Sequence, residues 1–336
     1  MSYVPVQVVS MKYLESMEEV RAVEPNGLNV VSTFSGAGGS CLGYRIAGYK
    51  VLWANEFIDA AGATYKLNHD THLCTKDIRQ VTASDIKQIT KDKRIDILDG
   101  SPPFSSFSTS APMKLWGKTK CYSGTMQKVD DLFFEYIRII GELKPRAFIA
   151  ENVTGLVKGK GRGYYNMIME KLLDTGYQVK AFVLDASSFG IPQSRRRLFI
   201  VGLSSEINHK ITAPPIQNRM ALMSDFRELD DIVEHHAAGR NKFGNEVWHH
   251  TSRPYSTVTA SIGKLTRGAY LSANGFVRRK SGVISKLTIA EGRVLSSFPK
   301  DFKLTGDFSQ QFERIGRAVP PMLMANLAKH MEGYLK

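Results

Sequence analysis

Six runs of apolar and β-branched residues recur along the first two hundred positions: Leu28–Phe34, Val51–Glu56, Ile95–Leu98, Ala147–Glu151, Ala181–Asp185 and Arg197–Leu203. Segments of helical period or loops separate them. Short buried strands that alternate with helices have few solutions, and the pattern predicts an α/β protein with a doubly wound, mostly parallel sheet. The clearest helix is expected to start at Asp130, to carry Leu132, Phe133, Tyr136, Ile137, Ile140 and Leu143 on one stripe, and to end at Lys144-Pro145.

From about Ser204 the alternation gives way to Pro214-Pro215, polar stretches and short Thr/Ser/Gly-rich segments. Three parts are therefore expected: a large domain over 1–203, a small one over 204–285, and a segment over 286–336 that returns to the large domain. A helix is expected from Arg314 to Lys336, entered through Val319-Pro320-Pro321. The neighbouring pairs His235/His236 and His249/His250 point apart on any regular element, so exposed or nucleic-acid-facing histidines are expected rather than metal ligands.

Three cysteines, none in a C-x-x-C pair, favour a reduced cytosolic protein without structural metal. No apolar run is long enough to span a membrane, and the N-terminus lacks a basic region followed by an apolar stretch, so a soluble, untargeted chain is expected. The net charge of +13 attracts polyanions and is compatible with nucleic acid. Basic residues gather at Lys114/Lys118/Lys120, Lys158/Lys160/Arg162, Arg195 to Arg197 and Arg278/Arg279/Lys280, all in stretches that read as turns.

After the first run comes F-S-G-A-G-G-S-C-L-G, Phe34 to Gly43, with glycines where a strand turns sharply into a helix and a ligand approaches backbone. Glu56 follows at the tip of the second run, placed to accept hydrogen bonds from ribose hydroxyls, and Asp77-Ile78 is placed to meet an adenine edge. Together these point to an adenosine cofactor. The phrasing is neither G-x-G-x-x-G nor a P-loop, which disfavours NAD and ATP. The third run leads into D-G-S-P-P-F-S-S-F-S, Asp99 to Ser108, a turn and serine-rich loop of the kind that presents a reacting side chain.

Phe34 to Gly39 resembles the S-adenosylmethionine motif of the DNA cytosine-5 methyltransferases, and Pro102-Pro103-Phe104 resembles their Pro-Cys motif. Further blocks follow in the family's order: Glu151-Asn152-Val153, Gln193 to Arg197, Arg253 to Thr257, Leu287-Thr288 with Glu291 and Phe298-Pro299, and Gly316 to Pro320. The resemblance spans about residues 28 to 330, and the ordered set is far more specific than any member.

It implies a methyltransferase fold and transfer of methyl from S-adenosylmethionine to C5 of a cytosine flipped out of duplex DNA. Phe34, Gly36, Gly38, Gly39, Glu56, Asp77, Ile78, Pro103, Ala318 and Val319 would surround the cofactor. Glu151 would hold the base edge at N3 and N4, and Arg195 and Arg197 would orient the base and the sugar-phosphate. Residues 105 to 124 would form the mobile catalytic loop, with Trp116 or Met113 filling the gap in the stack, and 204–285 would read the target. A monomer in the cytoplasm or on the nucleoid, in a restriction-modification setting, is implied.

Two departures stand out. Phe104 occupies the place of the nucleophilic cysteine, and Ser105, beside it, lacks a histidine placed to activate it. Cys121, within the loop, is the other thiol nearby. Arg317 stands where the family usually has asparagine. A family methyltransferase impaired at position 104 is the leading expectation. The alternatives are a non-catalytic DNA-binding or regulatory protein that keeps the fold, and an enzyme that acts on another base or on RNA without a thiolate.

Overall fold

A computed structural model describes residues 11–103, 119–122, 125–128, 131–159, 161–240, 246–264 and 275–336. Phe104, Ser105, Met113, Trp116, Asp130 and Lys160 lie outside the described residues. The strands are β1 (Asn29–Thr33), β2 (Lys50–Asn55), β3 (His72–Cys74), β4 (Ile97–Gly100), β5 (Thr119–Tyr122), β6 (Thr125–Lys128), β7 (Ala147–Val153), β8 (Gln178–Asp185), β9 (Arg196–Leu203), β10 (Ile232–Arg240), β11 (Glu246–His250), β12 (Phe276–Arg279) and β13 (Ile284–Lys286). The helices are α1 (Met17–Arg21), α2 (Gly39–Ile46), α3 (Asp59–Lys66), α4 (Ala83–Thr90), α5 (Leu132–Leu143), α6 (Gly161–Leu173), α7 (Ile289–Leu295), α8 (Phe308–Arg317) and α9 (Pro321–Leu335).

The main sheet has the order β3-β2-β1-β4-β7-β9-β8. Every pairing from β3 to β7 is parallel, and β9 alone runs against its neighbours β7 and β8. The chain winds outward from β1 through β2 to β3, then restarts at β4 on the other side of β1. That reversal opens a crevice at the carboxyl ends of β1 and β4. Because β9 is antiparallel, its first residues lie beside the last of β7, with Arg197 opposite Val153.

Alternate residues of each strand enter opposite faces. Val30, Ile97, Ile149 and Val201 pack against α2 and α9, while Val31, Leu98, Phe148 and Ile200 pack against α4, α5 and α6. The α2–α9 contact is unusually close. A methyl group on Gly43 would sit 2.5 Å from the Pro321 carbonyl oxygen and 2.6 Å from the Met324 Cβ, so only glycine lets the two helices meet.

A four-stranded antiparallel sheet, β11-β10-β12-β13, forms a second unit. Its core joins Ile232, Val277 and Tyr255 to Met223 and to Leu295, Phe312 and Ile315 of α7 and α8, whereas Ile207, Ile211 and α9 pack into the main core. Among the described residues no helix is long and apolar enough to cross a membrane, and no group of three metal-ligating side chains occurs.

Several local expectations are corrected. The helix after residue 130 starts at Leu132, and the carboxylate of its N-cap, Asp131, accepts from Arg79 Nε at 2.8 Å instead of capping. The expected Arg314–Lys336 helix is two helices, because Ala318 is extended ahead of Pro320-Pro321, and Arg314 belongs to α8. His235 and His236 are fully buried, not exposed, because β10 is central in the small sheet and covered on both faces. His235 lies 4.7 Å from the Tyr255 ring and His236 5.2 Å from the Trp248 ring. Arg278 and Arg279 are strand residues paired with Glu234 and Glu291, and Arg196 and Arg197 open β9. Arg197, Arg278 and Arg279 each have an opposite-charge partner on a neighbouring element.

Candidate active site

The crevice at the carboxyl ends of β1 and β4 is a cavity of about 730 Å³, a size suited to a small organic cofactor. Its floor is the turn after β1. Phe34 leaves the strand with φ 52°, a left-handed conformation rarely adopted by a large side chain, and Gly36 and Gly38 follow at φ 56° and 91°. Three left-handed residues in five reverse the chain within one turn and bring Phe34, Gly36, Ala37 and Gly39 to the cavity wall.

Glu56 fixes that turn. One carboxylate oxygen accepts from the Gly36 amide and the other from the Ile58 amide, both at 2.7 Å. Burial pushes the Glu56 carboxyl up from its ordinary value, and the two amides partly offset this. Gly39 begins α2 against the break between α8 and α9. A Cβ there would stand 2.3 Å from the Val319 carbonyl oxygen, so Gly39→Ala is expected to cost about 2–3 kcal/mol of stability by displacing the 318–319 backbone. An unchanged urea midpoint would contradict this close approach.

At the far end, Asn152 Nδ2 donates to the Pro102 carbonyl at 3.0 Å and pins the Ser101-Pro102-Pro103 turn to β7. Next to it, Glu151 pairs with Arg197 Nε at 3.1 Å, with both side chains nearly buried. The antiparallel β9 is what delivers this cation to a carboxylate at the end of β7.

Arg195 differs from expectation. It touches the cavity wall but is only 2% exposed, and its terminal nitrogens donate to the carbonyls of Val258 at 3.0 Å, Gly316 at 2.8 Å and Ala318 at 3.0 Å. It is a latch joining three distant segments rather than a side chain free to orient a base. Gln193, two residues earlier, works in the same way, donating to Leu295 O and accepting from Val258 N.

Of the residues singled out from sequence, Phe34, Gly36, Gly39, Glu56, Ile78, Pro103, Glu151, Arg195, Arg197, Ala318 and Val319 line one cavity. Gly38 and Asp77 do not. Gly38 lies against the His69 ring, and the Asp77 carboxylate caps its own turn through Arg79 N at 3.0 Å and pairs with Arg79 Nη1 at 2.8 Å. Phe104 follows Pro103 and lies outside the described residues. Phe57, Ile58, Glu313 and Arg314 also line the cavity and were missed. Phe57 and Ile58 follow Glu56 at a strand end, a signal that was available; Glu313 and Arg314 arrive on a distant helix and carry no local sign.

The model of the C-5 cytosine-specific DNA methylase family matches residues 28–282 and 248–333. The chain belongs to that family. The methylase is 26% identical to the Type II methyltransferase M.NgoPII of Neisseria gonorrhoeae over 90% of its own length and 95% of that protein's. It is 31% identical to the Type II methyltransferase M.Bsp6I of a Bacillus species, over 82% and 89%. The fold is shared with a solved mutant of Spodoptera frugiperda DNMT2, with a TM-score of 0.65 and 18% identity over 92% of the methylase and 99% of that chain. Family membership carries a methyl donor and DNA as the methylated substrate.

Proposed function

We propose that the cavity binds S-adenosylmethionine and that this methylase acts on C5 of a flipped cytosine in duplex DNA as the modification partner of a restriction system. Phe104 stands in place of the nucleophile, so that the chain binds both ligands but transfers methyl poorly or not at all. The observation that carries this reading is the meeting, in one cavity, of the glycine turn and Glu56 with the Pro103 turn and the Glu151–Arg197 pair. The donor set fits the cofactor. The turn at 34–39 presents backbone, Glu56 retains acceptor capacity at the end of β2 for ribose hydroxyls, and Phe34 and Ile78 supply apolar surface for a base.

S-adenosylmethionine, when bound, supplies an electrophilic methyl group. The rest falls to the chain's own residues. Glu151, oriented by Arg197, faces the position of a flipped base and can hold its amino and ring-nitrogen edge. Arg195 sets the spacing between β9, the small sheet and the 316–318 backbone, and so the width of the cavity. Asn152 holds the turn that carries residue 104.

Calorimetric titration with S-adenosylmethionine and duplex-DNA binding at several salt concentrations test the two ligands. If about six phosphates are contacted, affinity falls roughly 10³-fold between about 50 and 200 mM salt. A flat salt response removes the DNA reading, and absence of heat with S-adenosylmethionine removes the cofactor reading.

A further inference from the structure

Asp99 is the last-but-one residue of β4, 1% exposed at the centre of the main sheet and two hydrogen bonds from the cavity lining. Its carboxylate accepts from Ser32 Oγ at 3.0 Å and from the Tyr44 hydroxyl at 3.2 Å. Ser35, which lines the cavity, donates to Ser32 Oγ at 3.0 Å, so a chain of hydroxyls leads from the cofactor floor to the carboxylate. The groups that face Asp99 are Tyr44 and Cys41 from α2, Tyr65 from α3, Tyr136 from α5 and Glu151 from β7. None is a cation.

Among the described residues hydroxyls alone donate to this carboxylate, and a buried carboxylate so held is costly in its ionised form. Burial holds Asp99 up at about 7, with Ser32 and Tyr44 lowering it and Glu151 raising it. Burial also holds the protons on Cys41 and the facing tyrosines through the neutral range.

We propose that Asp99 is a proton-linked counter-charge that raises the affinity for the cationic methyl donor relative to that for the neutral product. The inference rests on the cavity being the S-adenosylmethionine site. The donor carries a positive sulfonium, and S-adenosylhomocysteine carries an uncharged thioether in its place. A cation entering the cavity favours the Asp99 carboxylate and expels its proton; loss of the charge on methyl transfer lets the proton return and weakens the hold on the product. The sign follows: donor affinity rises with pH through neutrality, and product affinity does so less. Glu56 also sits in the cavity and is raised by burial, so the assignment to Asp99 needs its own variants.

Calorimetry of both ligands at pH 6 and pH 8, in two buffers of different ionisation enthalpy, tests it. The α-amino group common to both ligands cancels in the difference between them. A fall of about one unit in the Asp99 pKa on donor binding predicts about five-fold tighter donor binding at pH 8 than at pH 6, and about 0.4 more protons released at pH 7 by donor than by product. Asp99→Asn is expected to abolish both differences. Ser32→Ala, which removes one donor to the carboxylate, is expected to move the midpoint of the donor profile to higher pH. Binding of both ligands with equal proton release, or the same difference retained in Asp99→Asn, or an unmoved midpoint in Ser32→Ala, overturns the assignment and leaves the cofactor reading standing. Binding of neither ligand overturns both.

Discussion

Arg195→Ala is expected to destabilise the methylase by about 3–5 kcal/mol, because it removes the guanidinium that satisfies three carbonyls. Burial and the neighbouring Arg197 already lower Arg195 to about 9, so the site bears the cost of an interior charge and returns it as three charge-assisted bonds. The three acceptors belong to two separate segments: Val258 beside the small sheet, and Gly316 and Ala318 at the end of α8. Their release is expected to let the small sheet move against the main one and to weaken S-adenosylmethionine binding by at least about ten-fold, since Ala318 and Val319 form one wall of the cavity. Arg195→Lys keeps the charge but cannot span the three oxygens, and it should recover only a minority of the stability. Denaturant unfolding and calorimetry of both variants check this. Wild-type stability in Arg195→Ala would mean that the latch carries no load.

What was legible in the sequence follows from how local each signal is. The strands are legible because Val30, Ile97, Ile149 and Val201 sit in short apolar runs, and the ligand-approach turn is legible because glycines cluster between Phe34 and Gly39. The direction of β9 was not legible, since parallel and antiparallel strands buried on both faces share one composition. Yet that direction brings Arg197 to Glu151. The burial of His235 and His236 was also hidden, because it depends on the strands and loops that cover β10, not on the two histidines. Asp77 looked like a cofactor residue from its position alone; Arg79, two residues away, redirects it. The β5–β6 hairpin pairs Thr119–Tyr122, inside the expected loop over 105–124, with Thr125–Lys128 just beyond it, and is too short for a clear period-two pattern.

Phe104→Cys is expected to raise cytosine C5 methylation by roughly 10³-fold or more over the unaltered chain. C5 of cytosine is a weak nucleophile, and it gains the electron density to take a methyl group only when a thiolate adds at C6. A phenyl ring offers no lone pair for that addition. The neighbouring residues are ordered around the cavity: the Pro102 carbonyl accepts from Asn152, Glu151 pairs with Arg197, and Pro103 lines the cavity wall. Glu151→Gln in the Phe104→Cys background should reverse most of the gain, because the base then loses its charged partner.

One side chain, at position 104, is expected to separate this methylase from its family's chemistry. This is tested most directly by incubating the unaltered chain and Phe104→Cys with methyl-labelled S-adenosylmethionine and mixed-sequence duplex DNA, then digesting the DNA to nucleosides. Label is expected on 5-methylcytosine with the variant alone. Label on 5-methylcytosine from the unaltered chain, or none from a variant that still binds both cofactor and DNA, would contradict it.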